Sequence, residues 1–228
     1  MHTLEKFFSA DPSLHLILVL PKDDFEYWRS LCDNHNFTLP HELVPGGESR
    51  FQSVKNGLMA LPFTEGLVAI HDGVRPFVTE QVIQSSFEEA AKSGSAIPVV
   101  SLKDSLRKVD AGGESTFQER ANFRLVQTPQ TFQLKPLLQA FAVEELEIFT
   151  DDATVYEYQG WTVYLIEGNS ENIKLTTPED LVFAEFLMAT RWVEKGNSFT
   201  DSIGCFTDFL DDFTYFQNAN LVLNPRFV

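Results

Sequence analysis

The sequence predicts an α/β fold: a Rossmann-like, mostly parallel sheet flanked by helices, with a projecting β-hairpin arm. Short apolar runs bounded by Pro or Gly alternate with longer runs in which apolar residues recur every three or four positions. Such alternation is typical of a parallel sheet covered by helices on both faces. One polar stretch of alternating character interrupts the pattern at 104–120 and turns at a Gly-Gly pair, which predicts the arm.

The first half of the chain supplies strands and helices in strict alternation. The predicted strands are HLILVLP (15–21), HELVPGG (41–47), LVAIHDG (67–73) and SAIPVV (95–100). The predicted helices are 23–34, 49–62 and a third that begins after the capping residue Thr79.

The second half returns from the arm, about 104–123, to the body. RLVQTPQTF (124–132) re-enters the body, and a helix over 133–146 and a strand over 161–168 follow. The sequence TPED predicts the start of a last helix, because Thr177 suits the N-cap and Pro178 the first turn. That helix runs to about Lys195, with Leu181, Phe186 and Leu187 as buried candidates.

Size and charge limit the classes of function. The 228 residues predict one α/β domain over 1–195, and a Phe- and Asp-rich tail over 196–228 whose role the sequence does not indicate. A net charge of −16 argues against a nucleic-acid partner, since phosphate contacts need a basic surface, but a few local cations suffice for a small anion. No apolar run approaches the roughly 20 residues of a membrane span, and Cys32 and Cys205 are expected to be free thiols. We therefore expect a cytoplasmic protein without a membrane partner.

Three polar segments are expected to share one crevice. PGGESRFQS (45–53), HDGVRPF (71–77) and EGNSENIKLT (167–176) each follow a predicted strand. Ligands of open α/β sheets bind outside the carboxyl ends of the strands, so the three segments are candidates for one binding site.

Asp72, Arg75 and Lys174 are the candidate charged groups of that site. A carboxylate ending an apolar strand suits Mg²⁺, which takes one or two protein carboxylates plus phosphates. Arg75 would hold an anionic substrate, although a surface ion pair with Asp72 is the alternative. Lys174 would neutralise charge developing on a phosphoryl group, or is a solvated loop lysine.

The remaining candidates have equally plain alternatives. Gly46-Gly47 permits close approach of backbone to a ligand and Ser53 would read a base or sugar edge; the alternative is a turn followed by a helix cap. Arg120 and Thr128 flank the return of the arm, and either form arm surface and turn or reach a partner's substrate. Asp151-Asp152 is interpreted first as a helix start.

Taken in order, these segments resemble the 2-C-methyl-D-erythritol 4-phosphate cytidylyltransferases of isoprenoid biosynthesis. The resemblance covers residues 1 to about 190 and is carried by PGGESRFQSVKNGL, IHDGVRPFV, AIPVVSLKDSLRKV, RLVQTPQTF, TDDATVYEYQG and EGNSENIKLTTPEDLVFAE. Ribitol-phosphate cytidylyltransferases share most of these segments. The resemblance implies a nucleotidyltransferase fold and a homodimer formed through the arm, with CTP and a polyol phosphate as substrates and Mg²⁺ or another divalent cation as cofactor.

The resemblance also implies roles for individual residues. Asp72 would bind the metal and Lys174 would stabilise the transition state, with Arg75 beside them as the third catalytic residue. The residues implied in binding the nucleotide are Gly46, Gly47, Glu48, Ser53 and Gly73. Those implied in binding the polyol phosphate are Arg75, Arg120 from the partner's arm, Thr128 and Thr176.

The sequence departs from the family at its beginning. The family opens with a strand and a loop of the form A-A-G-x-G-x-R-M-G, whereas MHTLEKFF matches the helix that follows them. We therefore expect either a coding start further upstream or a truncated relative, and weak or no turnover from this chain alone. The alternative functions are a cytidylyltransferase for another polyol phosphate, such as ribitol 5-phosphate, and a non-catalytic relative.

Overall fold

The computed structural model describes residues 1–194 and 219–225, which build one large sheet with helices on both faces. The strands of these ranges are β1 (Leu14–Leu20), β2 (Glu42–Pro45), β3 (Leu67–Asp72), β4 (Ser95–Ser101), β5 (Leu106–Val109), β6 (Ser115–Gln118), β7 (Arg124–Val126), β8 (Gln130–Gln133), β9 (Leu165–Glu167) and β10 (Asn220–Pro225). The helices are α1 (His2–Ala10), α2 (Phe25–Asn34), α3 (Arg50–Ala60), α4 (Glu80–Ser93), α5 (Leu134–Ala140), α6 (Asp152–Glu157) and α7 (Pro178–Glu194). Within these ranges, none of the helices combines the length and the apolar character that a bilayer span requires.

The main sheet has the strand order β2-β1-β10-β3-β8-β4-β7, and β9 pairs with residues 97–99 in the middle of β4. Strands β1, β2, β3, β4 and β9 run in one direction, while β7, β8 and β10 run in the other. The predicted α/β class with a mostly parallel sheet is confirmed. The reversed strands β8 and β10 nevertheless lie between strands that run in the common direction. The sequence does not indicate this reversal, because a strand buried on both faces has the same apolar pattern whichever way it runs.

Two apolar layers cover the two faces of the sheet. On the face covered by α3, Ile17, Ile70 and Val222 lie in one row across β1, β3 and β10 and are fully buried. On the opposite face, covered by α1 and α4, their neighbours Leu18 and Leu221 are buried. Successive residues face opposite sides because a strand has a two-residue period. Asp72, the last residue of β3, therefore shares the α3-side face with Ile70 and lies at the edge of that layer.

Most predicted boundaries are confirmed within two residues, and three details are wrong. The helix after β8 ends at Ala140 instead of residue 146. A longer helix would place Glu144, Glu145 and Glu147 at its C-terminus, where negative charges interact unfavourably with the helix dipole. Strand β9 covers only three residues, because Trp161 and Val163 pack against the α3-side core instead of pairing. Phe186 is predicted to be buried but is 63% exposed. The buried side of α7 carries Ala184, and residues two apart on a helix point to different sides.

The predicted arm is confirmed as a separate two-stranded sheet. β5 and β6 pair from Leu106 with Gln118 to Val109 with Ser115. Val109 and Phe117 are 62% and 66% exposed, so the arm carries apolar surface that the described part of the chain does not cover.

The last strand adds residues 219–225 to the domain that the sequence analysis ended at residue 195. β10 lies in the middle of the main sheet, hydrogen-bonded to β1 on one side and β3 on the other. The sequence does not predict this strand, because NLVLNP is too short for hydrophobic periodicity to identify a strand. Cys32 is a free thiol as predicted, and Cys205 lies outside the described residues.

Candidate functional site

A cleft of about 390 Å³ opens at the carboxyl ends of β1 and β3. Its walls include the loop 46–50 with Ser53, the β3 residue Asp72, the loop residue Lys174, and Asn220 of β10 with the preceding Ala219. All three segments predicted to share a crevice therefore meet, as the sheet argument requires.

Asp72 is the electrostatic centre of the cleft. It is the last residue of β3 and only 6% exposed. Its Oδ2 lies 2.9 Å from Nε of Arg75 and 3.6 Å from Nζ of Lys174, and its Oδ1 lies 3.9 Å from Nε of Arg50. Burial raises the pKa of Asp72, but Lys174, Arg50 and Arg75 together lower it below its ordinary value. Asp72 is therefore ionised, and its contact with Arg75 is not the solvated surface pair that was the alternative.

Arg75 ties the end of β3 to the loop that carries Lys174. Its Nη1 donates to the backbone oxygen of Asn172 at 2.8 Å, while its Nε donates to Asp72. The Arg75 side chain is only 12% exposed and does not line the cleft. Arg75 thus fixes the position of Asp72 relative to Lys174, whose side chain is 41% exposed. Direct contact of Arg75 with a substrate stays a prediction.

Thr128 holds the backbone of Asp72 in place. Its Oγ1 accepts from the backbone N–H of Asp72 at 3.1 Å and lies 3.0 Å from Nδ1 of His71. Thr128 is 5% exposed, and its hydroxyl is buried inside its own protomer. Contact of Thr128 with a polyol phosphate stays a prediction.

His71 completes this buried layer in its neutral form. Nε2 lies 3.1 Å from the backbone oxygen of Arg75, which can only accept, so Nε2 carries the proton and Nδ1 accepts from Thr128. Burial lowers the pKa of His71 to about 4. His71 is therefore a structural histidine beneath the site.

A buried ion pair between Arg50 and Asp152 forms the other side of the cleft floor. Nη1 and Nη2 of Arg50 donate to the two oxygens of Asp152 at 2.8 and 2.6 Å, in the bidentate geometry that suits a carboxylate. Asp152 is fully buried, which raises its pKa, although Arg50 opposes that shift. Arg50 therefore stands between two carboxylates, Asp152 and Asp72.

Sequence reasoning missed the role of this pair. It identified Asp151-Asp152 as a helix start, and Asp151 is indeed the N-cap of α6. Arg50 lies inside the predicted segment 45–53, but nothing local indicates a partner 102 positions away.

The loop before α3 is held by Ser53. Its Oγ accepts from the backbone N–H of Gly47 at 3.0 Å and donates to the backbone oxygen of Ser49 at 2.8 Å. Gly46, Gly47 and Ser53 all line the cleft, as does Glu48. The structure thus places the predicted nucleotide loop at the cleft, and contact of Ser53 with a base or sugar stays a prediction.

Three further predicted site residues, like Arg75 and Thr128, do not line the cleft in the described part of the chain. Gly73 donates its N–H to the backbone oxygen of Ala219 and so holds β10 in place. Arg120 is exposed near the arm and donates to the backbone of Lys103. Thr176 contacts the side chain of Asp180 at the start of α7.

Comparisons with known proteins agree on one family. The family model for IspD, 2-C-methyl-D-erythritol 4-phosphate cytidylyltransferase, matches residues 1–190. Two curated proteins of that name, from Bacteroides thetaiotaomicron and Phocaeicola vulgatus, are 49% and 47% identical to the chain over 189 and 188 residues, covering 82% of the chain and 85% of each relative.

Solved structures give the same result. The 2-C-methyl-D-erythritol 4-phosphate cytidylyltransferase of Thermus thermophilus is 32% identical, with a TM-score of 0.68 over 82% of this chain and 86% of that one. The 4-diphosphocytidyl-2C-methyl-D-erythritol synthase of Anaerococcus prevotii is 29% identical, with a TM-score of 0.71 over 80% and 82%.

Proposed function

The chain belongs to the 2-C-methyl-D-erythritol 4-phosphate cytidylyltransferase family, and we propose that it transfers CMP from CTP to 2-C-methyl-D-erythritol 4-phosphate. A phosphate oxygen of the polyol phosphate attacks the α-phosphorus of CTP, the bond from that phosphorus to the bridging oxygen breaks, and pyrophosphate leaves with the electron pair. The observation that carries the proposal is a buried, ionised Asp72 among three cations at the carboxyl end of β3.

Local charge favours a phosphorylated ligand despite the acidic composition. Arg50, Arg75 and Lys174 contribute three positive charges, against two negative charges from Asp72 and Asp152. Glu48, which also lines the cleft, brings the negative charges to three, so the positive and negative charges balance here in a protein whose net charge is −16. Lys174 is the exposed cation of this group and is the one proposed to stabilise charge at the α-phosphate in the transition state.

The donor set fits a magnesium ion that arrives with the nucleotide. Oδ2 of Asp72 is engaged by Arg75 and Lys174, whereas the cation near Oδ1 is Arg50, whose Nε lies 3.9 Å away. Nowhere in residues 1–194 and 219–225 do three or more His, Cys, Asp or Glu side chains cluster as a metal site. Mg²⁺ often uses one protein carboxylate together with phosphate oxygens, so Asp72 is the residue that would hold it, jointly with the triphosphate. When bound, the ion would neutralise phosphate charge.

The names of the relatives favour methylerythritol phosphate over ribitol phosphate as the second substrate. Pyrophosphate release from CTP and Mg²⁺, measured with each polyol phosphate in turn, tests this choice. We expect turnover with 2-C-methyl-D-erythritol 4-phosphate to exceed turnover with ribitol 5-phosphate at least tenfold. Equal or reversed rates would contradict the substrate assignment.

The same assay tests the residues. Lys174→Met should lower kcat about 100-fold or more, by analogy with the loss of one transition-state donor. The matched control is Lys135→Met, since Lys135 is 68% exposed and pairs across the surface with Glu65 at 3.7 Å. Near-normal turnover by Lys174→Met would remove it from the mechanism.

We also propose a homodimer formed through the arm, with Arg120 reaching the partner's site. An isolated pair of strands is marginally stable in water, and this one exposes Phe117 and Val109. Phe117→Asp should halve the mass measured by light scattering, whereas Thr116→Asp, on the other side of the same strand, should not. A monomeric unmodified protein would refute the dimer.

A further inference from the structure

Strand β10 is built into the centre of the sheet. Its residues 220–225 pair with β1 along its whole length, and residues 220–223 also pair with β3. Val222 is fully buried in the α3-side layer, and Leu221 is buried on the opposite side. β10 therefore joins both apolar layers and separates β1 from β3.

Two glycines allow β10 to approach its neighbours closely. A Cβ on Gly73 would lie 2.7 Å from Cβ of Ala219, and a Cβ on Gly57 of α3 would lie 2.6 Å from Cγ2 of Val222. Neither position has room for a larger residue while β10 is in place. The body of the chain is thus shaped to receive this strand.

The register of β10 places Asn220 beside Asp72. Asn220 is paired with Asp72 on one side and with Val19 on the other. These three residues continue the buried row of Ile17, Val222 and Ile70 one step toward the rim, because residues two apart share a face. Side chains directly opposite in an antiparallel pair have Cβ atoms about 5 Å apart. An otherwise apolar row therefore ends in an amide next to the central carboxylate.

We propose that Asn220 is a nucleotide-binding residue whose Nδ2 donates to a phosphate oxygen of the bound triphosphate, so that the C-terminal strand forms part of the active site. This inference rests on the proposed function. Asn220 lines the cleft together with Lys174 and with Asp72, its partner in the sheet, and the loop that carries Gly46 and Gly47 lines the same cleft. A carboxamide donates to phosphate without neutralising Asp72, which a lysine at the same place would do.

The strand supplies its own control in Asn224. Asn224 shares the face of Asn220 and is 2% exposed, but its Nδ2 donates to the backbone oxygen of Leu67 at 2.6 Å. It lies four residues, or about 14 Å, further along the strand and does not line the cleft. Loss of Asn224 should therefore reduce stability without affecting ligand affinity.

The experiment is isothermal titration calorimetry of the full chain with CTP and Mg²⁺, and separately with cytidine, accompanied by thermal unfolding of each variant. We expect Asn220→Ala to raise the Kd for CTP about tenfold or more, as loss of a hydrogen bond to a charged group does, and to leave the Kd for cytidine unchanged. Asn220→Asp should weaken CTP binding further, since it adds a carboxylate beside Asp72. Asn224→Ala should lower Tm but keep the Kd for CTP within twofold. Asn220→Ser, which keeps a small polar side chain, replaces the Ala variant if the latter does not fold.

The outcomes separate this inference from the function beneath it. A wild-type chain that binds CTP and turns over, combined with an unchanged Kd in the Asn220 variants, overturns the inference and leaves the proposed function. Equal weakening of CTP and cytidine overturns the phosphate contact. A wild-type chain that neither binds CTP nor releases pyrophosphate overturns both.

Discussion

Replacing Asp152 with Asn should destabilise the protein through Arg50. The substitution keeps the size of the side chain but puts an amide N–H₂ where one carboxylate oxygen now accepts from the guanidinium. Arg50 would remain charged but would lose the carboxylate that it binds through two hydrogen bonds. Removing one member of a buried pair costs about 3–5 kcal/mol.

The magnitude is reduced because Arg50 is not fully buried. Its side chain is 29% exposed, whereas Asp152 is inaccessible, so water partly solvates the unpaired guanidinium. We therefore expect a loss of about 2–3 kcal/mol, below the range for a fully buried pair. At about 2–4 °C per kcal/mol for a chain of this size, Tm should fall by about 4–12 °C.

The assay is thermal unfolding followed by circular dichroism, with urea unfolding for the free energy. The matched control is Glu26→Gln, which removes the negative charge of the exposed pair with Arg29 and should change stability by less than about 1 kcal/mol. Arg50→Met and the double variant close a cycle whose coupling energy should be about 2 kcal/mol. A Tm for Asp152→Asn no lower than that of Glu26→Gln, or a coupling energy near zero, would refute the buried-pair reasoning.

Three further predictions follow from the layer beneath Asp72. Burial lowers the pKa of His71 from 6.5 to about 4, so His71 takes up a proton at higher pH in the unfolded chain than in the folded one. The free energy of unfolding should therefore fall by up to about 3 kcal/mol as the pH drops from 6.5 to 4. Urea unfolding of His71→Gln at several pH values should show little of this pH dependence. Gly73→Ala would press a Cβ to 2.7 Å from that of Ala219 and should cost about 1–3 kcal/mol in the same assay. Thr128→Val removes the acceptor of the Asp72 N–H and should cost about 1–3 kcal/mol, because that buried donor is left unpaired.

Each of these three has a clear contrary result. Parallel pH profiles for wild type and His71→Gln would show that His71 titrates normally. Gly112→Ala, whose new Cβ would lie 3.4 Å from its nearest neighbour, is the control for Gly73→Ala, and equal stability of the two variants would argue against a tight fit of β10. A Thr128→Val variant as stable as wild type would show that water or another group satisfies Asp72.

Local sequence patterns were sufficient for most of the elements and for the position of the site. The N-cap at Thr79 and the hairpin turn near Gly112-Gly113 depend on neighbouring residues, and both are present. Asp72 and Lys174 could be assigned to one rim because parallel strands bring their carboxyl ends to the same edge. Nothing in the sequence indicated that the hydroxyl of Thr128 bonds to Asp72 and His71 inside the protein, because those partners lie 56 and 57 residues away along the chain.

The sequence alone determined the order of most strands and helices before residue 195, the arm, and the gathering of three polar loops, since each depends on hydrophobic period, turn residues or strand direction. Only the tertiary structure decided that Arg50 pairs with Asp152, and that Asn220 comes to lie beside Asp72. The physical reason is that hydrophobic periodicity records which face of an element is buried and contains no information about which distant segment covers it. A strand in the centre of the sheet, 148 residues along the chain from the carboxylate it flanks, is specified only when the whole chain packs.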